Sequence, residues 1–191
     1  MIFFINSVVG FTYLLRPVSN SRKNVCGFYA EPKNSLDMVY IGGSACYTFW
    51  EPLQAWNDYG FTSYNFATDA IQPQVIKSII AEVLKKQSPE LLVVDLRPFQ
   101  YGDEIQGDEG IMQMEKVAPF RNVSDNMPFS INRFKMITNN APSGEDKWTY
   151  HFDLSKYHSL LGSVFIKDNW KYADNRELLY TKGFCANKEI G

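Results

Sequence analysis

The sequence predicts a three-layer α/β fold built on a parallel sheet. Apolar or aromatic-rich runs at 37–43, 62–67 and 90–96 are bounded by turn residues, as buried strands are. Helical segments separate them, the clearest at 73–87. The links are short, and strands alternating with helices in this way form right-handed βαβ units on one parallel sheet. The expected strand order is 2-1-3.

Composition sets the outer bounds. A chain of 191 residues, 45% hydrophobic and 15% aromatic, is long enough for one domain with a sizeable core. A net charge of −2 and a pI near 5.7 provide no electrostatic footprint for nucleic acid. Cys26, Cys46 and Cys185 have no CxxC spacing and do not pair evenly, which argues against a zinc site or a disulfide framework. A nucleotide-binding α/β domain holding a phosphate on Gly42-Gly43-Ser44 ranks last, since neither the dinucleotide nor the P-loop glycine pattern occurs; no metal or cofactor is expected.

Met1–Leu15 (MIFFINSVVGFTYLL) is nearly all apolar but shorter than the ~20 residues that span a bilayer. It reads either as the back half of an N-terminal membrane anchor or as a core element, with Arg16–Lys23 as a polar exit. Residues 1–24 are therefore set apart as a possible anchor remnant and linker. Val25–Ser35, with turn chemistry at Pro32 and Asn34-Ser35, is expected to be a surface lead-in to the first strand.

That strand, Met38-Val39-Tyr40-Ile41, runs into Gly42-Gly43-Ser44. Two glycines let the backbone turn sharply, and a serine there sits at the carboxyl edge of a strand, where open α/β sheets bind ligands. Pro52 opens a short helix and Gly60 ends it, with Leu53 and Trp56 expected on the sheet. Phe61–Ala67 is the second strand. Pro73 opens the long helix, whose Val75, Ile76, Ile79, Ile80, Val83 and Leu84 share one face, with Lys77, Glu82, Lys85 and Lys86 on the other. Glu90–Leu96 (ELLVVDL) is almost wholly apolar, as a central parallel strand is. Beyond it, 101–191 reads as an irregular or helical extension of the 25–100 β-α-β-α-β core, with helical pieces near 112–117 and 131–137. No convincing fourth strand follows, so the sheet is expected to be incomplete at its carboxyl end.

The stretches FYAEPKNSLDMVYIGGSACY, WNDYGFTSYNFAT and LKKQSPELLVVDLRP resemble the amino-terminal half of SGNH/GDSL-type hydrolases, in particular the membrane-anchored cell-envelope branch of Gram-positive bacteria. The resemblance covers 28–99 and implies a flavodoxin-like parallel sheet. It also implies an esterase or acyltransferase acting on an acylated glycan or wall polymer, anchored by its N-terminal segment on the extracytoplasmic face of the cell membrane. Ser44 takes the place of the family's nucleophile. Gly43 replaces the aspartate of Gly-Asp-Ser, Asp69 falls where the family has an oxyanion-hole glycine, and Arg97 is the one strong donor where it has an asparagine. Asp69 and Arg97 are thus the oxyanion or substrate candidates. The family's Asp-x-x-His element is absent, leaving only His151 and His158, and both read as structural. The other reading the same residues allow is a catalytically inactive SGNH-fold protein that binds an envelope glycan or a protein partner.

The remaining features have plain readings. Cys46 is a small core residue, and Tyr47, Phe49 and Trp50 either wall a pocket or pack beneath the loop. The acidic run Asp103, Glu104, Asp108 and Glu109 reads as a solvated loop, and Asn122-Val123-Ser124 matches a glycosylation sequon by chance as easily as by design.

Overall fold

The structure, a computed structural model, describes residues 12, 14–16, 18–100, 109–152, 154–165, 167, 170 and 180–185. In chain order the elements are α1 (Asn20–Ala30), β1 (Met38–Gly42), α2 (Ser44–Phe49), α3 (Pro52–Tyr59), β2 (Ser63–Ala67), α4 (Pro73–Lys86), β3 (Leu91–Val94) and α5 (Arg97–Gln100). They continue with α6 (Glu109–Ser124), α7 (Ile131–Asn140), α8 (Lys147–His151), α9 (Leu154–Tyr157) and a 3₁₀ segment, His158–Phe165. The fold is mixed α/β.

The sheet has three parallel strands in the order β2-β1-β3, as the alternation of elements predicts. Val39 sits beside Tyr64 and Leu92, and Ile41 beside Phe66 and Val94. Side chains alternate along a strand, so these six share one face. That face holds the main core, where Val25 and Phe28 of α1, Val75 and Ile79 of α4, Phe120 of α6, Met136 and Ile137 of α7 and Tyr150 of α8 meet it. Phe28 packs edge-to-face on Tyr64 and Phe66, with ring centroids 5.7 and 5.0 Å apart. The other face is lined by α2 and α3, which lie against β2.

Three local expectations are corrected. The lead-in to β1 is a buried helix, α1, through all of 25–30 and back to Asn20, capped by Ser19 Oγ accepting the Arg22 N–H. Burial of Val25 and Phe28 against β2 overrides the helix-weakening Gly27. On α4, Leu84 is 57% exposed whereas Glu82 is 3% exposed. The reason is that α7 packs on α4 along a polar seam, where Glu82 accepts hydrogen bonds from Tyr29 (3.2 Å) and Asn132 (3.0 Å). On α3 it is Pro52 and Ala55 that are buried, while Leu53 and Trp56 stay exposed. Eight residues make about two turns, and the face carrying Pro52 and Ala55 is the one turned to β2.

Arg121 ties the later helices together. Its guanidinium donates to Glu145 (2.7 Å), Thr149 (2.9 Å) and Asp125 (3.2 Å), and lies 4.2 Å from the Tyr150 ring centroid. Arg133 donates to the Ser124 and Tyr150 carbonyls at 2.6 and 2.8 Å. Ser124 is buried inside this packing. Most of 1–17 and the acidic stretch 101–108 lie outside the described residues, and no described helix is long and apolar enough to cross a membrane.

The two edges of the sheet differ. The outer edge of β2 is sealed by the turn Thr181–Phe184, whose Lys182 carbonyl accepts the Asn65 N–H at 2.9 Å. Lys182 and Gly183 have φ of +51° and +82°, the left-handed pair of a type I′ turn. The Lys182 ammonium donates to both oxygens of Glu31 at 2.8 Å, and Glu31 is 2% exposed. The outer edge of β3 has no partner among the described residues.

Gly183→Ala tests this seal. A Cβ there would sit 2.3 Å from the Asn65 carbonyl oxygen, at a positive φ. We expect a loss of roughly 1–3 kcal/mol in urea denaturation, with faster exchange of the Asn65 amide.

Candidate active site

The site grows from the junction of β1 and α2. Gly42 ends a buried strand, and a Cβ on it would lie 2.7 Å from Asp95 Cβ and 3.0 Å from Cys46 Cβ. Only glycine lets the end of β3 come this close to β1. At Gly43 a Cβ would meet nothing nearer than Ile71 Cγ2 at 3.8 Å, an ordinary contact, and its φ of −87° suits any residue. Glycine is therefore required at 42 and not at 43, where the resembled family carries aspartate.

Ser44 is the first residue of α2 and is exposed. Its hydroxyl has no hydrogen bond to any described residue. It opens on a cleft of about 100 Å³ lined by Gly43, Ser44, Ala70, Ile71, Asp95 and Arg97. The loops after all three strands converge there, because parallel strands bring their carboxyl ends together.

Asp95 Oδ1 accepts the Arg97 N–H at 3.0 Å, an Asx turn that swings the chain into α5. The Arg97 guanidinium is exposed at the rim and has no ion pair with a described residue. It pairs with neither Asp69 nor Asp95. Asp69 is engaged elsewhere: its carboxylate accepts the Tyr47 hydroxyl and, at 3.0 Å, the Ser21 hydroxyl, and its N–H donates to Ser21 Oγ at 3.1 Å. It ties α1 to α2, and its neighbours Ala70 and Ile71 line the cleft in its place. Burial and the adjacent Asp69 push the Tyr47 phenol well above its usual range. Of the candidate residues, Ser44 and Arg97 share the cleft and Asp69 does not line it. Asp95, one step past the apolar strand, forms a wall of the cleft beside Arg97, as expected of the loop that follows the third strand.

The aromatic residues of this segment divide. Tyr47 is buried, Phe49 projects into solvent, and Trp50 donates from Nε1 to Ser63 Oγ at 3.1 Å. Cys46 is fully buried, and burial first, then Asp95, push its thiol up, which removes it as a nucleophile.

Neither histidine lines the cleft. His151 stacks on Phe134 with centroids 4.6 Å apart, and His158 Nδ1 lies 2.7 Å from the Ser155 carbonyl oxygen. Asp146 precedes α8, where its carbonyl accepts from Thr149 and its side chain makes no capping hydrogen bond, and Asp153 is outside the described residues. Among the described residues no His, Cys, Asp or Glu cluster could hold a metal. A larger hollow of about 340 Å³ lies at the opposite, amino ends of the strands, between Leu36, Pro52, Trp56 and Lys182. Its polar groups are already bonded to one another, as in Thr62 Oγ1 to the Ser35 carbonyl at 2.9 Å. No family model, curated protein or solved structure matches the chain.

Two measurements test this geometry. Gly42→Ala is expected to lose about 1–3 kcal/mol in urea denaturation, from overpacking against Asp95 and Cys46. Gly43→Ala should stay within about 0.5 kcal/mol. The second concerns His151, whose burial, and then Arg133, lower its pKa from 6.5. The unfolded chain binds the proton more tightly, so this contribution to stability is complete above pH 6.5 and is lost as pH falls from there through the lower folded value. Relative to His151→Phe, the parent chain should lose stability in that window; parallel curves would show that His151 does not titrate with folding.

Proposed function

We propose that the chain carries the nucleophile of an SGNH-type serine esterase or acyltransferase acting on an acylated cell-envelope glycan or wall polymer. The observation that carries this reading is an exposed Ser44 in a cleft at the carboxyl ends of parallel strands. The sequence resemblance around Ser44 adds to it. In the reaction, Ser44 Oγ forms a bond to the acyl carbon while the ester C–O bond breaks. The hydroxyl proton passes to a base and then to the departing alcohol. The N–H of Ser44, at the free start of α2, is the nearest backbone donor for the oxyanion. Arg97, exposed at the rim, holds an anionic group of the polymer or offsets the charge of Asp95. The base and its orienting carboxylate come from outside the described residues. The apolar N-terminal segment would keep the site at the membrane, on its outer face.

A second reading is an SGNH-fold protein that binds such a polymer, or a protein partner, without turnover. The absence of an imidazole from the cleft among the described residues favours it.

Exogenous imidazole separates the two. The chain alone should hydrolyse p-nitrophenyl acetate only at background, since a positioned base contributes about 10²–10⁴-fold. With imidazole added, the catalytic reading expects acetate on Ser44, located by mass spectrometry, and a rate above that of Ser44→Ala under the same conditions. An unmodified Ser44 and equal rates would leave the binding reading.

A further inference from the structure

The hollow at the amino ends of the strands is where the exposed side of α3 faces. Leu53 and Trp56 stand three apart on that helix, so they share one side of it, and both line the cavity of about 340 Å³. A cavity of that size suits a small ligand. Trp56 is 55% exposed and gives the wall a flat aromatic ring, with Pro52 and Leu36 buried beneath. The rest of the lining is polar. Thr62 Oγ1 and Ser35 are bonded to each other and, through Thr62, to Asp37. Glu31 and Lys182 also line the cavity, as the ion pair that fastens the Thr181–Phe184 turn, and they keep capacity to bond a ligand. An ammonium has three N–H donors, and with a single carboxylate as partner Lys182 keeps at least one. Each Glu31 oxygen accepts one bond from a described residue and has a second lone pair. Ser63 Oγ accepts from Trp50, and no described residue takes its own proton.

We propose that this hollow binds a neutral pyranose ring, as a free sugar or as one unit of a glycan chain. A pyranose with equatorial hydroxyls has an apolar C–H face and a polar edge, and the cavity is divided in the same way. The C–H face lies on the Trp56 indole, and neighbouring hydroxyls at the ring edge accept from Lys182 Nζ and donate to Glu31. Charge selects a neutral ring. Glu31 and Lys182 are the charged lining residues and cancel each other. The charges next to the lining, Lys33, Asp37, Glu51 and Lys86, are two of each sign, so neither an anion nor a cation meets a net counter-charge. A ligand without hydroxyls fits less well. An apolar aromatic ring would cover the ion pair and give it no hydrogen bond in place of water. A polyproline segment would stack on Trp56 but has no N–H to give Glu31. The five residues of β1 set the hollow roughly 15 Å from Ser44. The inference stands on the hollow alone and holds whether or not Ser44 is a nucleophile.

Titration of the full 191-residue chain with cellobiose and with N,N′-diacetylchitobiose tests the proposal, with affinity read by saturation transfer to the sugar protons. We expect saturable binding of at least one of them, with a shift of the Trp56 indole N–H signal, assigned by its loss in Trp56→Phe. Trp56→Ala should weaken binding about tenfold with an unchanged circular dichroism spectrum, and Trp56→Phe, which keeps an aromatic face, should weaken it less. Trp148 is equally exposed but lies outside the hollow, so Trp148→Ala should leave the affinity unchanged. Cellobiouronic acid, the same disaccharide with a carboxylate, should bind more weakly than cellobiose. No binding of either neutral sugar, binding that Trp56→Ala leaves intact or that Trp148→Ala abolishes, or tighter binding of the uronic acid overturns the proposal. So does a polyproline peptide that shifts the Trp56 signal where the sugars do not. No ester is present in these titrations, so their outcome is separate from that of the Ser44 experiment.

Discussion

The backbone of β1 is the constraint on which the structure turns. Among the described residues it is the one strand paired with another strand on each side, so its peptide groups are spent on β2 and β3 and its side chains must be covered on both faces. The cover comes from distant parts of the chain. Helices α1, α4, α6 and α7 bring Phe28, Ile79, Phe120 and Met136 to one face, while α2 and α3 approach the other. A short parallel sheet has little stability without such cover. The amino-terminal helix and the later helices are therefore needed by the sheet as much as the βα units are.

The same constraint makes the cleft. Drawing β3 against β1 at their carboxyl ends requires Gly42, and the contact made there, against Asp95, fixes one wall. Ser44 is exposed because α2 begins immediately after that wall, before any side chain of the helix can fold over it. Thr68 donates its N–H to the Gly42 carbonyl at 3.2 Å and so brings the loop after β2 to the same corner. The exposed setting of Ser44 is thus a by-product of strand pairing. No strand in this sheet carries an imidazole at its carboxyl end, so a catalytic reading of Ser44 needs a base from elsewhere.

Local patterns made much of this legible in the sequence. The strands, their parallel order and α4 follow from apolar runs and helical spacing, and Ser44 follows from two glycines at the end of a strand. The failures share a cause. Glu31 with Lys182, Ser21 with Asp69 and Glu82 with Asn132 are separated by 151, 48 and 50 residues, and no local period reports such pairings. Glu82 read as a solvent-facing charge because periodicity places a residue on a helix face without saying which faces other helices will cover. Asp69 read as an oxyanion neighbour because the resemblance aligned its position; the hydroxyls of Tyr47 and Ser21 claim its carboxylate. The apolar ELLVVDL run read as a central strand, yet it forms an edge among the described residues, because composition records which surfaces need cover and not what provides it.

Charge balance in the cleft sets a last condition on its chemistry. Asp95 is held at the wall by the Arg97 N–H, so its carboxylate cannot swing away from the space beside Ser44. A negative charge developing on an attacked carbonyl in that space is opposed by Asp95. Arg97 is the one cation among the lining residues, and its guanidinium makes no ion pair with a described residue. If Arg97 closed on Asp95 it would neutralise the wall and leave nothing for an anionic substrate. Held apart, it attracts an anionic group but leaves Asp95 to repel an oxyanion. Arg97 cannot fully serve both ends at once, so a productive complex needs a further donor or proton near Asp95. A site that only binds a polyanion does not. The fixed carboxylate thus divides the two readings of the Ser44 cleft as sharply as the missing base does.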